Sequence, residues 1–510
     1  MAQKCRIVSK SNDEADDRNR AVVPPVVRSD LEVVFWFPVR RSTAKPSVFS
    51  FSMPRVRVLR KLLLVVALSC GAGLSGAAGA QEPGKITIQS FTLGNGLKVH
   101  LVEDHSTQVV AVDLWYDVGA RNERPGHTGF AHLFEHMMFQ GSANVAKSEH
   151  FKLVERAGGQ MNGSTQIDRT NYWDLLPSNR LNLGLWLEAD RMRSLAITQA
   201  NLDNQKEAVK EERRLRFDNQ PYTGTLVDSL SLIYDRNSCF AYGHSLVGSM
   251  ADLNAAKVED VQSFFKQYYA PNNATLVLVG DFQAADAKKL VTEYFSDIPR
   301  VEPPPAVACD QRFNTGAIRR IVEDKNATIP AILAFYRVPP VADADYPALE
   351  LLGNILGQGE SSRLNRVMAR EAKAVIAAQA LLNPTGPTRG PGIFGVFAIA
   401  NQGVPPDSIE RLIASQVAKL AVDGVSDAEL SKAKNAYRAN TISERQRVLN
   451  VAESLQFANL FLGSPEKINT DIQRYDAVTI ADIKRVAEKY LRADNSMSFI
   501  ITPPKPAVVP

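Results

Sequence analysis

Five residues constrain this chain more than any others: His132-Leu133-Phe134-Glu135-His136, a His-x-x-Glu-His pattern. The flanking Ala, Leu, Phe and Met favour or tolerate helix, and no proline interrupts them, so the stretch is predicted helical. Residues four apart share a helix face, which brings both imidazoles to one side. Glu135, three after His132, lies beside them. Two neutral imidazoles are good zinc ligands, and catalytic zinc sites use three protein ligands plus water. A carboxylate next to that water can take its proton. The order inverts the commoner His-Glu-x-x-His zinc helix. A lone buried histidine is more often a hydrogen-bonded core residue, so the metal reading needs a third ligand.

Residues 201–215 offer one. The stretch reads as a helix with few apolar residues. Leu202, Ala208, Val209 and Leu215, placed at 100° per residue, average to a direction that Glu212 matches within about 10°. Glu211 sits roughly 110° away. A solvated charged helix accounts for Glu207, Glu211 and the Lys/Arg residues. It does not account for a carboxylate centred on the apolar face, since a buried charge needs a partner or a metal.

Residues 119–123 (Gly-Ala-Arg-Asn-Glu) and 128–141, from Thr128 through the histidine motif to Gly141, resemble the signature of the pitrilysin/insulinase family of zinc metallopeptidases. That family includes the mitochondrial processing peptidases and many bacterial two-domain peptidases. Residues 158–165, with Asp168, Thr170 and Tyr172, are similar to its next block, and residues 208–214 to its third-ligand helix. The resemblance runs from about Thr87 to Thr502. It implies zinc, one per chain, held by His132, His136 and Glu212, with Glu135 as the base. Ligand type alone also tolerates manganese or cobalt. It implies substrate lying extended against an edge strand that residues 160–165 would form, with Asn162 a candidate contact; a turn residue is the plain alternative. Many members carry a second glutamate where Gln205 stands, seven before Glu212. Residues 357–364 are similar to a second-domain segment after which single-chain members use an Arg and, seven on, a Tyr to hold substrate. Arg370 matches the first; Ala377 stands at the second. Arg363 and Arg370 could equally be structural. Two-chain members divide this labour, so the resemblance implies a homologous second chain: a heterodimer closing like a clamshell, otherwise a homodimer.

Composition is that of a globular protein. The net charge of +4 misleads: residues 1–52 carry nine basic and six acidic residues, and residues 53–80 four basic and none acidic. The remainder is slightly acidic, and nothing in it suggests a nucleic-acid partner. Residues 53–61 form a basic n-region, Leu62 to Cys70 an apolar core, and Ala78-x-Ala80 a cleavage site before Gln81. This reads as a signal peptide and places the product in a bacterial periplasm or outside the cell, with no membrane span after cleavage. Residues 1–52 read as a non-native or low-order extension, with Met53 the expected start. Past the signal only Cys239 and Cys309 remain, and the sequence leaves open whether they meet.

Asn95-Gly96 between apolar runs is a tight-turn signal. Strands are expected at 97–102, 109–118, 172–176 and 274–281, and helices at 179–194, 258–269 and 284–295. A proline-rich linker follows, giving a catalytic domain over 81–297, a linker over 298–312 and a second domain over 313–510. The halves repeat weakly: residues 258–269 parallel 478–490, and each is followed by an apolar strand. Only the first half carries the histidine motif; residues 346–356 take that helix's place in the second. The expected fold class is α+β: two tandem homologous domains, each a mixed β-sheet packed by helices, together half of a clamshell. A zinc endopeptidase acting on peptides or small unfolded proteins is the leading function. A non-catalytic assembly subunit of the same fold is the alternative, disfavoured because both histidines and both glutamates are present. A small-molecule metallohydrolase fits two large tandem domains poorly.

Overall fold

The computed structural model describes residues 84–230, 232–310 and 316–505. The expected extension and signal peptide lie outside the described residues. Among the described residues, no helix is long and apolar enough to cross a membrane.

The first half builds a six-stranded sheet from β1 (Gln89–Thr92), β2 (Lys98–Glu103), β3 (Val109–Tyr116), β4 (Gln160–Thr165), β5 (Thr170–Pro177) and β6 (Ala274–Gly280), in the order β1-β2-β6-β3-β5-β4. Only the β2–β6 pairing is parallel. Its helices are α1 (Phe130–Met137), α2 (Glu149–Arg156), α3 (Leu181–Ser194), α4 (Gln199–Arg213), α5 (Thr223–Leu230), α6 (Met250–Ala255), α7 (Val258–Tyr268) and α8 (Ala284–Phe295). The second half adds β7 (Ile318–Glu323), β8 (Ala331–Val338), β9 (Val375–Leu382), β10 (Gly392–Ala400) and β11 (Ser496–Thr502), in the order β7-β11-β8-β10-β9. Here β7–β11 is the parallel pair. Its helices are α9 (Tyr346–Gly357), α10 (Pro406–Asp423), α11 (Asp427–Glu444), α12 (Val448–Leu462), α13 (Asp471–Asp476) and α14 (Ile480–Tyr490). Chain order and pairing sense coincide between the two sheets apart from the extra β1, and α9 follows β8 as α1 follows β3.

The repeat reaches single side chains. Asn273 Nδ2 donates to the Tyr268 carbonyl at the end of α7 (2.9 Å), and Asn495 Nδ2 donates to the Tyr490 carbonyl at the end of α14 (2.7 Å). Each also reaches the carbonyl just past β3 or at its counterpart β8, on Asp117 and Arg337.

Strands β3, β6, β8 and β10 are almost wholly buried. They read as continuous apolar runs because both faces of each sheet are covered. One face of the first sheet, through Val112, Leu114 and Leu276, packs on its own helices. The other, through Ala111, Trp115, Val277 and Val279, packs on α12 of the second half. The second sheet mirrors this. Ile332, Phe394 and Val396 face its own helices, while Leu333, Phe335, Phe397 and Phe499 are covered by Leu226, Ile233, Tyr234 and Tyr242 from the first half. Each half thus closes the other's core. A Cys239–Cys309 disulfide ties the covering segment to the stretch between the halves.

Local boundaries differ in small ways from the sequence pattern. β3 ends at Tyr116, where the chain turns toward the Gly119 loop, and the helix expected from 179 begins at Leu181 after a short 3-10 turn. The helix expected over 201–215 starts at Gln199, because Thr198 accepts from Asn201 N as an N-cap, and it widens into a π-turn over Arg214–Asp218.

Candidate metal centre

α1 is held at its N-terminus by residues distant in sequence. Gly129 has φ +83°, and a Cβ there would lie 2.8 Å from the Cα of Gly248, itself at φ +70°. Neither glycine tolerates a side chain, so two backbones meet where α1 begins. The Glu123 carboxylate accepts from Gly129 N and Ala131 N, both at 2.8 Å. A carboxylate suits that position because it meets the unsatisfied N–H groups and the positive end of the helix dipole. His244 Nε2 lies 2.9 Å from Glu123, and its Nδ1 lies 2.8 Å from the Phe240 carbonyl. Both ring nitrogens lie within hydrogen-bond distance of oxygens, an arrangement that favours the imidazolium. Burial opposes that charge, but the Glu123 carboxylate outweighs it and the His244 pKa is raised.

One turn into α1, His132 and His136 face α4. Nε2 of His136 lies 3.1 Å, and Nε2 of His132 3.7 Å, from the same Glu212 oxygen. All three side chains are buried, and one donor atom from each lies within 4.8 Å of the others. Glu212 is buried beside Leu202, Gln205 and Val209, whereas Glu211 is exposed; Ala208 and Leu215, which the sequence placed on the same inward face, are exposed as well. Burial lowers the His132 pKa to about 4, keeping the ring neutral as a ligand must be. For Glu212 burial acts upward, but the His136 hydrogen bond and the charges of His132, His136 and Arg216 prevail, lowering it to about 2. Arg216, on the π-turn, pairs with the other Glu212 oxygen at 3.1 Å. Neither nitrogen of His132 has a hydrogen-bond partner among the described residues. Buried nitrogens left this way, converging with a carboxylate, fit a zinc ion with two N donors and one O donor.

Glu135 is fully buried, and burial pushes its pKa up to about 7. Its Oε2 accepts from Thr165 Oγ1 at 2.6 Å, while Oε1 has no partner among the described residues. Gln205 is buried on the Glu212 face of α4, where its amide bears on His136. Asn162 lies on β4, the terminal strand of the sheet, opposite Trp173 of β5. It is a strand residue and not part of a turn. Arg363 forms a two-pronged pair with Glu429 (2.8 Å at each prong) and donates to the Gly424 carbonyl; it is structural. Arg370 is more than half exposed and pairs with Glu360 at 2.6 Å. Ala377 lies on β9.

A second buried cluster, His150, Asp174 and Glu188, also brings donor atoms within 4.8 Å. Both Glu188 oxygens are taken by Arg191, which lies over the Tyr172 ring at 4.3 Å. With Glu188 spent on an ion pair, two donors remain beside a guanidinium, a poor place for a cation.

The sequence did not single out His244, nor Thr165 and Glu123 beyond their places in the resembling blocks. Each acts through a partner at least 30 residues away, and no local pattern marks such pairs.

Two α+β halves with one inverted histidine motif, and a buried carboxylate on a neighbouring helix converging on it, define a class of zinc-peptidase-like chains. Residues 98–229 match the family model described as insulinase (peptidase family M16), and residues 255–437 match the one described as peptidase M16 inactive domain. The chain belongs to this family. It is 29% identical over 462 residues to the zinc protease PqqE of Helicobacter pylori, covering 89% of this chain and 99% of that one. It is 24% identical to a probable mitochondrial-processing peptidase subunit beta of Arabidopsis thaliana, covering 78% and 75%. Among solved structures, a protease from Helicobacter pylori superposes with a TM-score of 0.77 at 28% identity, covering 82% of this chain and all of that one. These relatives support a metallopeptidase at the level of the family, with zinc as its metal.

Proposed function

We propose that this chain is a zinc-dependent endopeptidase that cleaves peptides or small unfolded proteins. The observation that carries the reading is the buried convergence of His132, His136 and Glu212, with the Glu135 carboxylate one residue from a ligand. His132, His136 and Glu212 would hold the metal, which when bound polarises a peptide carbonyl and makes water acidic enough to react near neutral pH. Glu135 takes the proton of the attacking water at its free oxygen and delivers it to the leaving amine. β4 offers an open edge beside α1, on which an extended substrate can add as a further strand, with Asn162 as a contact. Such pairing reads backbone and shape more than sequence.

Arg370 without a tyrosine seven residues on supports the reading that a homologous second chain completes the substrate site, as a heterodimer or otherwise a homodimer closing like a clamshell. The disulfide supports an oxidising compartment such as the periplasm or the extracellular space. The test is zinc content and peptide cleavage by the purified chain, alone and with a candidate partner chain, beside Glu135→Gln. About one zinc per chain is expected, with cleavage lost in the variant and metal kept. Zinc binding without cleavage under either condition would favour a non-catalytic subunit, and no bound metal would refute the ligand set.

A further inference from the structure

We propose that Thr165 is a positioning residue for Glu135, fastening the base to the strand on which substrate would lie. The inference rests on the peptidase reading. Thr165 and Glu135 are both fully buried, and they come from β4 and α1. The Thr165 hydroxyl donates to Oε2 of Glu135 at 2.6 Å, within the short range of hydroxyl–carboxylate bonds. Oε1 is left without a partner among the described residues. The two oxygens are therefore unequal: one is anchored, and one is free to meet water. An unanchored carboxylate could turn about its last torsion, which is soft, and present either oxygen or neither.

The choice of residue is specific. A hydroxyl both donates and accepts. With the proton taken up on Oε1, Oε2 remains an acceptor, so the hydroxyl stays bonded to Glu135 whether or not the base holds a proton. Serine shares that property and valine does not, although valine matches threonine in shape. Placement matters as well. Successive strand residues point to opposite faces, so Thr165 reaches Glu135 while the β4 backbone keeps its outer edge for substrate. β4 also runs close to the segment after α1: a Cβ on Gly163 would lie 3.2 Å from the Phe139 ring.

The test compares the full-length wild-type chain with Thr165→Val, Thr165→Ser and Glu135→Gln, with partner chain if cleavage requires it, using a fluorogenic peptide. Thr165→Val is expected to keep about one zinc per chain and a KM within about twofold, while kcat falls roughly tenfold or more. Thr165→Ser should recover most of kcat. A readout independent of activity is a double-mutant cycle on the melting temperature of the chelator-treated chain. Thr165→Val and Glu135→Ala should be non-additive, as groups in contact are. A wild-type kcat in Thr165→Val, a serine variant as slow as the valine one, or additive melting shifts would each overturn the inference while leaving the peptidase reading intact. A wild-type chain that binds zinc and cleaves nothing would overturn both.

Discussion

If His132, His136 and Glu212 hold the metal as proposed, each donor is needed. His132→Ala, His136→Ala and Glu212→Ala are each expected to reduce bound zinc from about one per chain toward none, by elemental analysis, with the fold retained by circular dichroism. Gln205→Ala should weaken zinc binding about 10- to 100-fold in a chelator competition, because residues that orient a ligand tune affinity on that scale. His244 carries a pH signature. Its folded pKa lies above the ordinary 6.5, so its bond to Glu123 stabilises the fold fully below pH 6.5. That contribution is lost as pH rises through the raised value. The melting temperature of wild type should therefore exceed that of His244→Gln most at pH 6, and the gap should close toward pH 9. A constant gap would mean that the ring is neutral in the folded chain. Glu135 and the histidines were legible at this scale because they sit within one helical turn. Thr165 and His244 were not, since each acts only through a partner that the fold brings near.

At the scale of elements, α1 and α4 carry the three residues proposed to hold the metal, and the segment around residues 243–252 braces both. Gly248 packs on Gly129 at the start of α1, its carbonyl accepts from Arg213 beside Glu212, and Asp252 accepts from Thr128 N. Gly248→Ala would put a methyl 2.3 Å from the Thr128 carbonyl oxygen and is expected to cost about 2 kcal/mol or more by denaturant unfolding. It should also weaken zinc binding, although residue 248 is not a ligand. The sequence marked the helices by their apolar spacing and the hairpin by Asn95-Gly96, because those signals are local. It marked the 258–269 and 478–490 repeat for the same reason. It did not reveal that Asn273 and Asn495 fasten both copies to their sheets.

Across the whole molecule, the two halves exchange their covers. The α12 helix closes the first sheet, and residues 226–242 close the second. Neither half should fold stably alone: residues 81–297 expressed by themselves are expected to aggregate or bind hydrophobic dyes, having lost the cover over Val277 and Val279. A well-dispersed NMR spectrum from that fragment would contradict this interlock. The disulfide spans 70 residues across the same junction. In the chain-entropy model, closing such a loop stabilises by about 4 kcal/mol, so mild reduction should lower the melting temperature by several degrees.

The amino-acid order alone was enough for the family, for the α+β repeat, and for Glu212 over Glu211, because helix periodicity and residue chemistry are local properties. It left open whether Cys239 and Cys309 meet, and it could not show which face of each sheet the other half covers. It also could not show that one Glu135 oxygen is tied to β4 while the other stays free. Those features depend on groups separated by 30 to more than 300 residues along the chain, and only packing of the complete chain brings them together.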